Sequence, residues 1–162
     1  MDPIVILPGS FDPPTLGHLA LARKALEIFP SLIVVCSLNP NKSGQWFTPD
    51  EAKGLWHSYD LPENLDVRTI DEFSASRPDP SRILMVRGLR SAADVEEEKR
   101  TMLYNHRFCG ITRFLYIFND EYVDVSSTKA RTAARAGNAE RLNRCVSPVV
   151  AAALLERAAL HP

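Results

Sequence analysis

Cysteine is scarce in this chain. Cys36, Cys109 and Cys145 are widely separated, odd in number and never in a CxxC pair. That excludes a disulfide framework and a zinc site, and leaves three partly buried thiols suited to a reducing cytoplasm as the expectation. An excess of either charge is also missing. The 19 Lys and Arg against 20 Asp and Glu leave a net charge of −1, so no bulk attraction to nucleic acid or to an anionic membrane is expected. Any polyanion site must be local. No apolar run approaches the ~20 residues needed to span a bilayer, and Met1-Asp2-Pro3 carries no basic segment, so neither a membrane span nor a secretory leader is expected. The dinucleotide pattern GxGxxG and the phosphate loop GxxxxGK[ST] are both absent. Internal repeats, linkers and low-complexity tracts are absent too, and 162 residues fit one domain, 1–162.

What is present is an alternation. Strands are predicted at Ile4–Leu7, Leu32–Leu38, Leu65–Ile70, Ile83–Gly88 and Phe114–Phe118. Leu32–Leu38 and Ile83–Val86 are near-continuous apolar runs, the pattern of strands covered on both faces of a parallel sheet. Helices are predicted at about 17–29, from Thr48-Pro49-Asp50-Glu51, from about Ser91 to Phe108, from Ser126-Ser127-Thr128, and over Pro148–Leu160. In the first, Ala22, Ala25, Leu26 and Phe29 share a face. In the second, Thr48 can cap, Pro49 suits the first turn and Glu51 completes a capping box. Ser74–Ser81 (SASRPDPS) reads as irregular loop. The order implies an α/β fold: a doubly wound, Rossmann-like, five-stranded parallel sheet flanked by helices. Ligands of such sheets bind at the carboxyl ends of the strands, near the switch in strand order. Pro8–Ser10, Leu38–Lys42, Val86–Arg90 and Asn119–Ser126 follow strand ends, so these loops are expected to converge on one crevice.

The residues in those loops suit an anion. GSFDPPTLGH (9–18) is a strand end, a small-residue turn and a helix start, which offers free backbone N–H groups and the positive end of a helix dipole. Ser10 and His18 are candidate phosphate contacts, although Thr15 as a plain cap and His18 as a first-turn polar residue would also explain the pattern. Lys42 can bring a mobile ammonium to the crevice. Arg87 and Arg90 close a buried apolar strand, where an unpaired charge is costly. They call for a ligand or for pairing with Asp94, Glu96 or Glu98. Val95, Glu98, Met102 and Asn105 share one helical face, so Glu98 and Asn105 are expected to interrupt a buried stripe and to need partners. Ser126, Ser127 and Thr128, ahead of Lys129 and Arg131, can form a polyphosphate cradle.

Together these segments resemble the nucleotidyltransferase superfamily with the [HT]xGH motif, and within it the bacterial phosphopantetheine adenylyltransferases, over nearly the full length. The segments that carry the likeness are GSFDPPTLGH (9–18), NPNK with Phe47-Thr48, MVRGLRSAADVEEE (85–98) with Asn105, and VSSTKAR (125–131). The resemblance implies adenylyl transfer from ATP, with Mg²⁺, to 4′-phosphopantetheine. It implies that His18, with Lys42 and Arg90, serves catalysis. Ser10, Lys42, Arg87, Phe73 and Asn105 would meet the acceptor. Ser10, Phe11, His18, Gly88, Leu89, Arg90, Glu98 and the run Tyr122, Val123, Asp124, Val125, Ser126, Ser127, Thr128 would meet ATP. It also implies a cytoplasmic homo-oligomer, hexameric in the family, with no nucleic-acid or membrane partner and no protein-held metal. The chain departs from the family after Phe73, where Pro78 and Pro80 stand in place of an amphipathic helix. VSST is closer to the ISST of nicotinate-mononucleotide adenylyltransferases. A different phosphorylated acceptor therefore stays open as an alternative, as does a nucleotide-binding module without turnover.

Overall fold

The computed structural model describes residues 2–39 and 43–161. Its strands are β1 (Ile4–Gly9), β2 (Leu32–Cys36), β3 (Leu65–Thr69), β4 (Ile83–Leu89) and β5 (Arg113–Phe118). They form one parallel sheet in the order β3-β2-β1-β4-β5. The order reverses between β1 and β4, which puts the switch point where Pro8–Ser10 meets Arg87–Arg90.

Side chains alternate across the sheet because the strand period is two. Val5, Leu7, Val34, Cys36, Val67 and Val86 point into the larger core, against Leu19, Ala22, Ala25, Trp56, Ala130, Leu142, Val150 and Leu154 of the helices. Ile6, Val35, Ile83 and Met85 point the other way, into a small cluster closed by Phe73 and Ile111. The helices on the thick side are α1 (Leu16–Ile28), α2 (Pro49–Trp56), α5 (Ser127–Arg135), α6 (Ala139–Cys145) and α7 (Pro148–Ala158). The expected Thr48–Glu51 capping box starts α2, with Pro49 in its first turn.

Several details differ from the sequence expectation. The segment after β3 continues into a short helix, α3 (Ile70–Ala75), capped by Thr69 and Glu72. A 3₁₀ turn at Pro80–Arg82 follows. Helix α6 was not anticipated, nor that Cys109 is exposed while Cys36 and Cys145 are buried. The long helix α4 (Asp94–Cys109) begins later than Ser91, because the Asp94 carboxylate takes the Arg90 and Ser91 backbone N–H groups and folds 91–93 into a turn. Most consequentially, α4 buries none of its residues. The stripe of Val95, Glu98, Met102 and Asn105 therefore lies on a helix that is not sunk into the core.

Candidate active site

The β1–β4 ladder opens the site. Ile4, Val5 and Ile6 pair with Ile83, Leu84 and Met85, and the register stops there. Beyond Ile6, β1 stays with β2 as far as Gly9 and Cys36, while β4 stays with β5 as far as Leu89 and Phe118. The two strands fork, and one side chain ties the fork. Arg87 donates from Nη1 to the Pro8 carbonyl at 2.8 Å. Its Nε and Nη2 each donate to a Glu98 carboxylate oxygen at 2.7 Å. The expected pairing partner of Arg87 is thus Glu98, reached from α4. That satisfies both polar groups, and it orients a guanidinium at the switch point. Arg90 meets Asp94 at 3.3 Å. Burial pushes the Asp94 carboxyl up, but hydrogen bonds from Arg90 and Ser91 outweigh it and hold the group below its ordinary value. Gly88 packs on α1: a Cβ there would lie 2.8 Å from Leu21 Cδ2.

The turn after β1 is built around His18. Thr15 caps α1 and forms a capping box whose third helical residue is His18. The Thr15 backbone N–H donates to His18 Nδ1 at 3.0 Å. Nδ1 is therefore an acceptor, and the proton of a neutral ring sits on Nε2. The capping reading of the pattern holds here, since His18 is part of the cap and is presented in one tautomer by it. Phe11 takes a left-handed backbone conformation at φ 45°, tucks its ring beneath Gly9, and meets the His18 ring edge-on at 5.0 Å. A Cβ on Gly9 would come within 2.9 Å of that ring, so glycine is required by close approach. Trp56 backs Phe11 at 5.2 Å.

The loop after β5 closes the third side. Asn119 donates its backbone N–H to Leu89 O and its side-chain amide to Gly17 O. Tyr122 packs beside Gly17, and Val125 lies close by. Ser126 caps α5 by accepting from Lys129 N. Ser127 Oγ donates to Pro13 O at 2.8 Å, and Thr128 Oγ1 accepts from Arg131. Val123 and Asp124 are exposed, and Asp124 accepts from Lys129 Nζ. So three of the four loops expected to converge, the 8–18 turn, the 87–90 strand end and the 119–128 loop, touch one another. Lys42 lies outside the described residues.

Two candidates sit elsewhere. Phe73 is 6% exposed and closes the small core cluster on the thin face. Asn105 donates to Thr101 O along its own helix. Conversely, sequence reasoning passed over Asp12, and expected Arg131 beside a polyphosphate cradle and not on Asp12. The Asp12 carboxylate is 4% exposed and accepts the Trp46 and Phe47 backbone N–H groups at 2.9 and 2.8 Å. Arg131 donates to the Asp12 carbonyl and carboxylate. An aspartate between phenylalanine and a proline pair is the signal that could have marked it. Among the described residues no cluster of three His, Cys, Asp or Glu side chains is placed to hold a metal ion. None of their helices is long and apolar enough to cross a membrane.

The parallel α/β sheet and the family match together support a nucleotidyltransferase. The cytidylyltransferase-like family model matches residues 6–133, and the chain belongs to that family. The chain is similar to the phosphopantetheine adenylyltransferase of Corynebacterium glutamicum, with 32% identity over 94% of this chain and 95% of that one. The protein of the same name from Thermotoga neapolitana is 31% identical over 95% of this chain and 96% of its own length. In fold the chain is similar to a Vibrio parahaemolyticus protein assigned as a nicotinate-nucleotide adenylyltransferase (TM-score 0.64, 17% identity, covering 98% of this chain and 94% of that one). It is also similar to the Plasmodium falciparum nicotinic acid mononucleotide adenylyltransferase complexed with NaAD (TM-score 0.62, 14% identity, 96% of each chain).

Proposed function

We propose that this protein transfers the adenylyl group of ATP to 4′-phosphopantetheine, giving dephospho-coenzyme A and pyrophosphate. The observation that carries the reading is the Thr15–His18 box in the turn that leaves β1, one arm of a fork whose Arg87 is held by Pro8 and Glu98, in a chain 32% identical over 94% of its length to a phosphopantetheine adenylyltransferase. An oxygen of the acceptor phosphate attacks the α-phosphorus of ATP. The bond from that phosphorus to the β-bridging oxygen breaks, and pyrophosphate leaves. The attacking phosphate is already ionised, so no general base is needed. The protein's task is to hold two anions together and to steady the charge that builds on the α-phosphate.

His18 Nε2–H would donate to an α-phosphate oxygen. Ser10, Lys42 and Arg87 would hold the acceptor phosphate, with Phe73 and Asn105 toward its arm. Phe11, Gly88, Leu89, Arg90 and Glu98 would border ATP, and Glu98 would also orient Arg87 for the acceptor. Tyr122 to Thr128 would surround the base and triphosphate. Mg²⁺ enters with the triphosphate as part of that substrate, held by its phosphate oxygens.

The same reading includes a homo-oligomer. Helix α4 buries nothing, yet it carries exposed Leu103, Tyr104 and Phe108, and Phe118 is exposed at the end of edge strand β5. Exposed apolar side chains of this kind favour burial against a second copy. A Phe108→Glu variant should then elute later in size-exclusion chromatography with light scattering.

One feature favours a second acceptor class. Helix α3 spans six residues and gives way at Arg77, φ 46°, before Pro78, which departs from the longer family helix. With VSST at 125–128 this suits a pyridine mononucleotide. A screen of phosphorylated acceptors, read by pyrophosphate release from ATP, decides between them. Product with 4′-phosphopantetheine is expected, and product only with nicotinate mononucleotide would overturn the first reading.

A further inference from the structure

Three arginines grip one dipeptide and the carboxylate beneath it. Trp46 and Phe47 donate both backbone N–H groups to Asp12 Oδ1. Arg131 of α5 donates to Asp12. One helical turn on, Arg135 lies 5.1 Å from the Trp46 ring centroid. Arg157 of α7 lies 5.3 Å from the Phe47 ring and pairs with Glu51 of α2. The last contact comes from the far end of the described chain. The His161 imidazole is stacked on Trp46, centroids 5.3 Å apart and planes 11° apart, and the His161 carbonyl accepts from Arg135 Nε at 3.0 Å. Trp46 is 2% exposed, so it is walled in by elements widely separated in sequence. A near-parallel stack of rings with a guanidinium alongside is directional as well as apolar.

We propose that His161 is a positioning residue: by stacking on Trp46 it holds the Trp46 and Phe47 amides on Asp12, and so fixes the turn that presents His18. The link to turnover rests on the reading of that turn as the active site. The link to Asp12 does not. Asp12 lies between Phe11, whose ring meets His18, and Pro13, whose carbonyl accepts from Ser127 at the start of α5. A loosened Asp12 is therefore felt on both sides of the turn. Residues after the last helix otherwise make few contacts and tend to fray; here the Arg135 hydrogen bond and the stack tie the segment down.

The experiment uses the full chain with His161→Ala and His161→Phe, and reads amide exchange and steady-state kinetics together. In His161→Ala the Trp46 and Phe47 amides should exchange about tenfold faster, while amides of Val34 and Val86 keep their protection. The loss of one ring contact should lower kcat about fivefold with the ATP KM within about twofold. His161→Phe keeps a flat ring and should restore both. Unchanged exchange at Trp46 and Phe47, or faster exchange spread uniformly over the core, or failure of the phenylalanine to restore protection, would each overturn the proposal. The exchange arm reads out even if 4′-phosphopantetheine proves not to be the acceptor. Restored exchange without restored turnover would reject the link to catalysis.

Discussion

Thr15 and His18 cap each other: the threonine hydroxyl takes the His18 backbone N–H, and His18 Nδ1 takes the Thr15 backbone N–H. The reciprocal bond sets both the direction of the ring and its tautomer, so Nε2–H is the donor a phosphate oxygen would meet. His18→Ala should lower kcat by at least about a hundredfold, the scale of losing one charge-stabilising donor, and leave ATP affinity little changed. Nucleotide titration beside initial rates checks this. An equal loss in both would remove the transition-state role.

Glu98 holds Arg87 through two hydrogen bonds of 2.7 Å, and both side chains are mostly shielded. Glu98→Ala should cost about 2 kcal/mol in urea unfolding, because a charged donor loses its carboxylate in a partly buried setting. It should also raise the acceptor KM more than the ATP KM. Arg87→Lys should not rescue, since an ammonium cannot reproduce the planar fork.

The Gly88 position is tight against Leu21, since a Cβ there would lie 2.8 Å from Leu21 Cδ2. Gly88→Ala should destabilise by about 1 kcal/mol through overpacking. Leu21→Ala in the same chain should relieve it, giving a non-additive double-mutant cycle. Additive losses would show that Leu21 simply moves aside.

Acid should weaken the fold through identifiable carboxyls. Glu51 is held below its ordinary 4.5, first by the Thr48 backbone N–H and then by Arg157. Asp94 is held below 3.8, where hydrogen bonds from Arg90 and Ser91 outweigh the upward push of burial. A lowered folded value means the unfolded chain binds more protons in that interval. The stabilisation is complete above the ordinary values and is lost as pH falls through the lowered ones. Tm should therefore hold from neutrality to about pH 5 and drop below about pH 4. Asp94→Asn should flatten part of that drop.

Thiol reactivity should be uneven. Burial pushes Cys36 up to about 12 and raises Cys145 as well, whereas Cys109 is exposed. A disulfide reagent at neutral pH should titrate one thiol in the native protein and all three after denaturation. Rapid native reaction at two or more would contradict the burial of Cys36 and Cys145.

Much of the fold could be read in advance, for a physical reason. Strands covered on both faces announce themselves as apolar runs, as β2 does, and all five were anticipated within about two residues at each end, β3 (LDVRT) by alternation and not by such a run. Short helices carry no such period. Thr69-Ile70-Asp71-Glu72 held a capping box in plain view, yet six residues are too few to display amphipathicity. Gly137-Asn138 likewise announced α6 through a left-handed glycine at φ 61° and an asparagine cap. The buried stripe expected on α4 failed because spacing tells which residues share a face, and not whether anything covers it. At the site, the motif residues were legible because they cluster in sequence. Asp12, Trp46, Arg135 and His161 were not, because their relation exists only after the chain has brought distant segments together.

The fork after Ile6 and Met85 is a property of the main chain. Its opening is therefore set first by the strand pairing, with the Arg87 hydrogen bond to the Pro8 carbonyl tying its two arms. Anyone seeking to build a ligand site on this scaffold can retune the charges and shapes along the two diverging strands, while the gap itself is inherited from the order in which the strands were laid down.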